Sequence, residues 1–79
     1  MSVERNVEQV MAEVLQLPPA MINDQLAMQD VDVWDSLKHM ELIVSLEETF
    51  GVQLNFEEIV TMQSVANIKR VLRDRGALN

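Results

Sequence analysis

Residues 35–51 read DSLKHMELIVSLEETFG, and this stretch predicts the longest helix of the chain. Asp35 can cap its first turn, and Gly51 can adopt the left-handed conformation that commonly follows the last turn of a helix. The side chains that recur at helical spacing and are predicted to face a core are His39, Leu42, Ile43, Leu46 and Phe50. We therefore expect a helix from Ser36 to about residue 50.

A second row on the same helix mixes apolar and acidic side chains. It consists of residues four apart and two neighbours: Ser36, Met40, Val44 and Glu48, with Leu37 and Glu41 beside them. Residues four apart share one face of a helix. The mixture therefore predicts an exposed strip that can bind a partner protein.

The segments before this helix predict a first helix and a long loop. Apolar residues at helical spacing indicate a helix over about residues 3–16, with Ser2 as its N-cap. The pair Pro18-Pro19 ends it, because proline lacks the amide donor and restricts the residue before it. No period is sustained from Pro18 to Asp35, so we expect a partly ordered loop held against the helices by apolar side chains. The expected anchors are Ile22, Leu26, Met28 and Val31.

Two shorter helices are predicted near the C-terminus. Residues 52–54 alternate like a strand but have no second strand to pair with, so they read as an extended connector. Asn55 can cap a brief helix over about residues 56–61, and Ser64 can cap another over about residues 65–73. The predicted fold is all-α: a small antiparallel bundle of three main helices and one short helix, in a single domain over residues 1–79.

Composition limits the classes of function. The 79-residue chain has a net charge of −7, no cysteine and one histidine, which excludes a disulfide framework and argues against a zinc site. No apolar run approaches the roughly 20 residues that cross a bilayer, and no leader precedes the first helix, so we expect a cytoplasmic monomer without a membrane partner. The acidic surface disfavours nucleic acid and favours basic protein surfaces as partners. Four of the six basic residues lie near the C-terminus: Lys69, Arg70, Arg73 and Arg75.

The triplet Asp35-Ser36-Leu37 is the candidate site for chemistry. With Asp35 as the cap, Ser36 would occupy the first helical position and point out of the end of the helix. A phosphate on its oxygen would lie beside unpaired backbone amides and the positive end of the helix dipole. Taken alone, the Asp-Ser pair favours simple capping over such a modification.

The wider context of the triplet resembles the acyl carrier protein family. In that family an Asp-Ser-Leu triplet opens the second helix and is followed by Glu-Leu, Leu-Glu-Glu and Phe-Gly plus an aliphatic residue. The matching positions here are Glu41-Leu42, Leu46-Glu47-Glu48 and Phe50-Gly51-Val52. The order and approximate lengths of the other helices also match, so the resemblance extends across nearly the whole chain.

The resemblance implies that Ser36 receives 4′-phosphopantetheine from coenzyme A through a separate, magnesium-dependent phosphopantetheinyl transferase. The thiol of that arm would hold an acyl group as a thioester. The chain would have no catalytic activity of its own and would deliver the group to acyl-loading and acyl-transferring enzymes with basic docking surfaces. The family's recognition face corresponds to Asp35, Leu37, Met40, Glu41, Val44 and Glu48, and its acyl cavity entrance corresponds to Ile59 and Met62.

Three residues depart from the common pattern of the family. Trp34 replaces a small or flexible residue and is interpreted as a packed anchor for the loop, while Lys38 and His39 replace more acidic or neutral residues. His39 is interpreted as a buried edge of the core row, with a pH-dependent contact near the arm as the alternative. Together these residues look more like carriers of polyketide, specialised lipid or related pathways than of housekeeping fatty acid synthesis.

Three other classes of function compete with this interpretation. The first is an unmodified helical interaction module in which Ser36 is only part of a cap. The second is a calcium-binding loop at Asp30, Asp32 and Asp35, which lacks the glycine at its sixth position. A free-standing enzyme is the least favoured, because no nucleophile–base–orienter set and no glycine-rich phosphate loop are present.

Overall fold

The computed structural model describes residues 6–78, which fold into four α-helices and two short 3-10 turns. The helices are α1 (Val7–Leu15), α2 (Ser36–Phe50), α3 (Phe56–Thr61) and α4 (Val65–Asp74). The 3-10 turns, Pro19–Met21 and Met28–Asp30, lie in the segment between α1 and α2. No strand forms within residues 6–78, although Ala27 and Ser64 make one isolated antiparallel bridge. The all-α fold with three main helices and one short helix is confirmed.

Helix α1 begins later than the sequence pattern predicts. Asn6 is its N-cap: the Asn6 side chain accepts a hydrogen bond from the Gln9 amide at 2.8 Å, and the Gln9 side chain accepts one from the Asn6 amide at 3.0 Å. This reciprocal capping box sets the first helical residue at Val7. The predicted start at residue 3 is therefore wrong, and the predicted cap Ser2 lies outside the described residues.

The other helix boundaries follow the local chemistry of their ends. Asn55 caps α3 and Ser64 caps α4, each through a side-chain oxygen that accepts a backbone amide. Gly51 ends α2 with φ of 68°, in the left-handed region where a glycine has no steric cost. Helix α4 extends to Asp74, one residue beyond the predicted end.

The core is built from one face of each main helix and from the anchors of the loop. Ile22 is buried, and Leu26, Met28 and Val31 pack half-buried against the same core, which confirms the predicted pinning of the loop. The predicted core row of α2 is buried at four of its five positions, with Phe50 half-buried at the end. None of the helices described in residues 6–78 combines the length and apolarity that a membrane span requires.

Candidate functional site: the N-terminus and exposed face of helix α2

Ser36 is the first residue of α2 and its side chain is exposed. Asp35 precedes it in an extended conformation and caps the helix, with its Oδ1 accepting the Lys38 amide at 2.9 Å. The amides of Ser36 and Leu37 have no acceptor within the helix, as helix geometry requires for a first turn. A hydroxyl and unpaired amides therefore share the positive end of the longest helix, where a phosphodiester is stabilised.

The predicted strip of α2 is exposed along its length. Leu37 is 70 % exposed, and Met40 and Val44 are each 49 % exposed. The acidic members Glu41 and Glu48 also face solvent. Glu41 makes a surface ion pair with Lys38 at 3.1 Å, which offsets part of its charge. The strip thus combines apolar contact area with carboxylates, as docking on a basic and partly apolar surface requires.

Two surface features were not predicted from the sequence. Phe56 is 76 % exposed, and Val60, one turn further along α3, is also exposed. The sequence signal for this exposure is the apolar residue directly after the Asn55 cap. That pattern does not indicate which face of the short helix is exposed to solvent. An open groove of about 430 Å³ also runs beside the strip, lined by Val44, Glu47, Glu48, Val52, Gln53 and Leu54.

The two residues predicted at a cavity entrance differ in burial. Ile59 is half-buried and packs against the core, whereas Met62 is completely buried at the C-terminal end of α3. Helix α3 itself has no fully buried side chain. Polar contacts attach it to α4, including the Arg75 guanidinium on the Glu58 carboxylate and the Asn67 amide on the Thr61 carbonyl.

Trp34 anchors the loop directly before the site, as predicted. Its indole is 1 % exposed, and Nε1–H donates to His39 Nδ1 at 3.0 Å. His39 is 7 % exposed, and its Nε2 lies 2.9 Å from the Ile59 carbonyl oxygen. The interpretation of His39 as part of the core is confirmed. The bond between the two rings was not predicted, because it depends on tertiary placement rather than on spacing.

Two of the three aspartates of the proposed calcium loop bind backbone amides instead. Asp30 Oδ2 accepts a hydrogen bond from the Ala27 amide at 3.3 Å, and Asp35 caps α2. Among residues 6–78 there is no group of three or more potential metal ligands placed to share an ion. The calcium-binding interpretation therefore has no support in this geometry.

A small helical bundle with an exposed serine hydroxyl among free amides at a helix N-terminus has the features of a carrier domain that holds a phosphopantetheine arm. Comparison with known proteins agrees: a family model described as "phosphopantetheine attachment site" matches residues 5–72. The acyl carrier protein of Buchnera aphidicola subsp. Baizongia pistaciae (strain Bp) is 30 % identical over 73 residues, which cover 91 % of this chain and 92 % of that protein. The chain belongs to the acyl carrier protein family.

Membership of this family identifies the cofactor as covalently attached 4′-phosphopantetheine and the role as that of an acyl carrier. It also implies a phosphopantetheinyl transferase and acyl-handling enzymes as partners. The residues at the start of α2 fit such an arm. An exposed hydroxyl can be esterified there without disturbing the core, and the amides of the first turn can bind the phosphate.

Proposed function

We propose that Ser36 is the attachment residue and that the chain delivers thioester-bound acyl groups to enzymes with basic docking surfaces. The observation that carries the proposal is the exposure of the Ser36 hydroxyl at the first position of α2. In the transfer, Ser36 Oγ bonds to the phosphorus of the pantetheine phosphate of coenzyme A and loses its proton to the transferase. The bond to the departing 3′,5′-adenosine bisphosphate breaks. When bound, the arm supplies the thiol that the cysteine-free chain lacks.

The exposed strip of α2 supports the proposed recognition face. Its apolar residues, Leu37, Met40 and Val44, offer contact area, while the carboxylates of Asp35, Glu41 and Glu48 would meet basic groups of the partner. Carboxylates at the rim of such a surface mainly steer association and fix orientation. We assign them to docking and not to chemistry, so the chain catalyses no reaction itself.

The burial of the two α3 residues supports a role at an acyl cavity. Half-buried Ile59 would lie at the entrance and fully buried Met62 would form part of the wall. The unusual set of Trp34, Lys38 and His39 favours polyketide, specialised lipid or related biosynthesis. The proposal also treats the carrier as a cytoplasmic monomer, because it must meet coenzyme A and the transferase and because a net charge of −7 opposes self-association.

The attachment residue can be tested by intact-protein mass spectrometry. The chain is incubated with coenzyme A, magnesium and a broad-specificity phosphopantetheinyl transferase. We expect wild type to gain one phosphopantetheine mass, and Ser36→Ala to gain none while keeping its helical circular dichroism.

Ser45→Ala is the matched control, because it removes a half-buried hydroxyl from the same helix and should load like wild type. A Ser36→Ala variant that still gains the mass would refute the assignment. No gain in folded wild type, alongside a control carrier that loads, would favour the unmodified interaction module.

A further inference from the structure

The hydrogen bonds of His39 specify both its charge and its tautomer. An indole N–H can only donate, so Nδ1 of His39, 3.0 Å from Trp34 Nε1, must be an unprotonated acceptor. A carbonyl oxygen can only accept, so Nε2, 2.9 Å from the Ile59 oxygen, must carry the proton. The ring in this structure is therefore neutral and protonated at Nε2 alone.

The same ring joins three parts of the fold. His39 lies in the first turns of α2, Trp34 belongs to the loop that leads into α2, and Ile59 belongs to α3. The rings of Trp34 and His39 also contact each other, with centroids 5.9 Å apart. Trp34 lies two residues before Ser36 and is almost fully buried. The buried position of Trp34 therefore fixes the backbone that presents the Ser36 hydroxyl.

Protonation of His39 acts on its two bonds in opposite directions. Nδ1 becomes a donor and faces the indole N–H, so that two donors are buried against each other without an acceptor. Nε2 keeps its proton, and its bond to the Ile59 oxygen becomes charge-assisted and stronger. The contact with the loop is thus lost, whereas the contact with α3 is retained.

Carboxylates do not bind the ring directly, because both ring nitrogens already have partners. Asp35 is engaged as the cap of α2, and Glu58 binds Arg75. Charged side chains lie on α1, α2, α3 and residues 28–35, the parts of the fold that contact His39 or pack on its helix. They are Glu8, Glu13, Asp30, Asp32, Asp35, Lys38, Glu41, Glu47, Glu48, Glu57 and Glu58. Protonation would therefore place a charge in an apolar site without an existing counter-ion bond.

We infer that His39 is a proton-sensitive joint, that is, a side chain on α2 whose two hydrogen bonds connect this helix to Trp34 and to Ile59. When the imidazole becomes charged, the bond to Trp34 breaks and the loop leading to Ser36 is released. The helices stay assembled, because α3 remains bonded to Nε2 and the core side chains of α1, α2 and α4 are untouched. The joint acts on the unmodified chain and does not depend on the proposed attachment. Where Ser36 carries the arm, the joint makes its presentation to partner enzymes dependent on pH.

The wild-type chain provides two measurements as the pH is lowered from about 8 until the imidazole signals show that His39 is charged. Nitrogen-15 spectra of the imidazole should show Nε2 protonated and Nδ1 free at the upper pH. Trp34 is the only tryptophan, so its fluorescence reports on this site alone. Its emission should move to longer wavelength as pH falls, with the same midpoint as the imidazole signals, while the far-ultraviolet circular dichroism stays helical.

Two substitutions separate the bonds of the joint. His39→Asn keeps an acceptor near the position of Nδ1, and His39→Gln keeps a donor near the position of Nε2, but neither side chain titrates. Both variants should lose the fluorescence transition. His39→Gln should show the longer-wavelength emission at every pH, because it cannot hold the indole.

Several results would overturn the inference. One is the opposite tautomer in wild type at the upper pH, a measurement that needs no variant to fold. Others are an imidazole that stays neutral until the chain unfolds, an emission that is unchanged once the ring is charged, or loss of helicity together with the emission change. A transition that persists in a folded His39→Gln variant would assign the effect to carboxylates instead.

Discussion

At the scale of single residues, Asp35 combines two contributions that can be separated. Its side-chain oxygen satisfies the Lys38 amide, and its charge lies next to both the helix N-terminus and the Ser36 hydroxyl. The first contribution concerns stability and needs only an oxygen acceptor. The second concerns recognition and needs the negative charge. Asparagine supplies the oxygen without the charge, and alanine supplies neither.

We expect Asp35→Ala to lower the free energy of unfolding by about 0.5–2 kcal/mol, because the cap is lost. The free energy of unfolding of Asp35→Asn should lie within about a few tenths of a kcal/mol of the wild-type value, since asparagine caps about as well as aspartate. Loading by the transferase should nevertheless slow in both variants, more at low salt than at high salt. Urea denaturation and loading rates check these expectations. Equal destabilisation by both substitutions would show that the charge, and not the oxygen, stabilises the helix end.

At the scale of elements, α3 depends on polar contacts more than the other helices do. None of its six residues is fully buried, and within α3 only Ile59 packs, half-buried, against the core. Instead Arg75 binds Glu58, which also accepts the Asn55 amide in the capping box. The Arg75 bond and the Asn55 amide together lower the pKa of Glu58 from 4.5 to about 2. The charged form of Glu58 therefore holds α3 to the end of α4.

Glu58→Gln should lower the urea midpoint near neutral pH, because glutamine can keep the capping box but not the ion pair with Arg75. A lowered pKa in the folded state means that the stabilisation is complete above pH 4.5 and is lost as pH falls toward about 2. The difference between wild type and variant should therefore narrow across that window. Glu57→Gln, an exposed neighbour with the same change of charge, should have little effect. If the urea midpoints of wild type and Glu58→Gln differ by the same amount at all pH values, the ion pair with Arg75 is not the source of the stability difference.

The elements also show how far local sequence chemistry can predict this fold. The ends of α2, α3 and α4 were predicted to within a residue, because caps, Gly51 and apolar spacing act within one turn. The start of α1 was wrong because two residues could cap it, although the Asn6–Gln9 capping box contained the correct signal. The exposure of Phe56 and the bond between Trp34 and His39 could not be predicted. Both depend on how separate elements pack, and spacing along the chain does not encode that packing.

At the scale of the whole molecule, charge is partitioned between two regions. The acidic strip lies on α2, while four of the six basic residues lie on α4 and just after it. Two of these four, Lys69 and Arg75, bind carboxylates within the protein. Lys69 binds Asp24 at 2.6 Å and Glu8 at 2.7 Å, which raises the pKa of the Lys69 ammonium and links α4 to the loop and to α1. Glu41 and Glu48 of the strip are exposed, so they are the carboxylates closest to a basic partner that docks on this face of α2.

This partition predicts that the position of a charge matters more than the net charge. Glu41→Lys, Glu48→Lys and Asp74→Lys each change the net charge from −7 to −5, but only the first two lie on the strip. We expect either strip variant to weaken transferase binding by roughly tenfold at low salt, about 1.4 kcal/mol.

Asp74→Lys should bind nearly like wild type, because it lies in the last turn of α4, where a cation suits the helix dipole. Titrations at low and physiological salt check this, since screening shortens the reach of surface charges to about 8 Å at 0.15 M. Equal loss in all three variants would mean that the partner senses only total charge. A loss of transferase binding that is the same at both salt concentrations and is accompanied by reduced helicity would mean that the variant is misfolded.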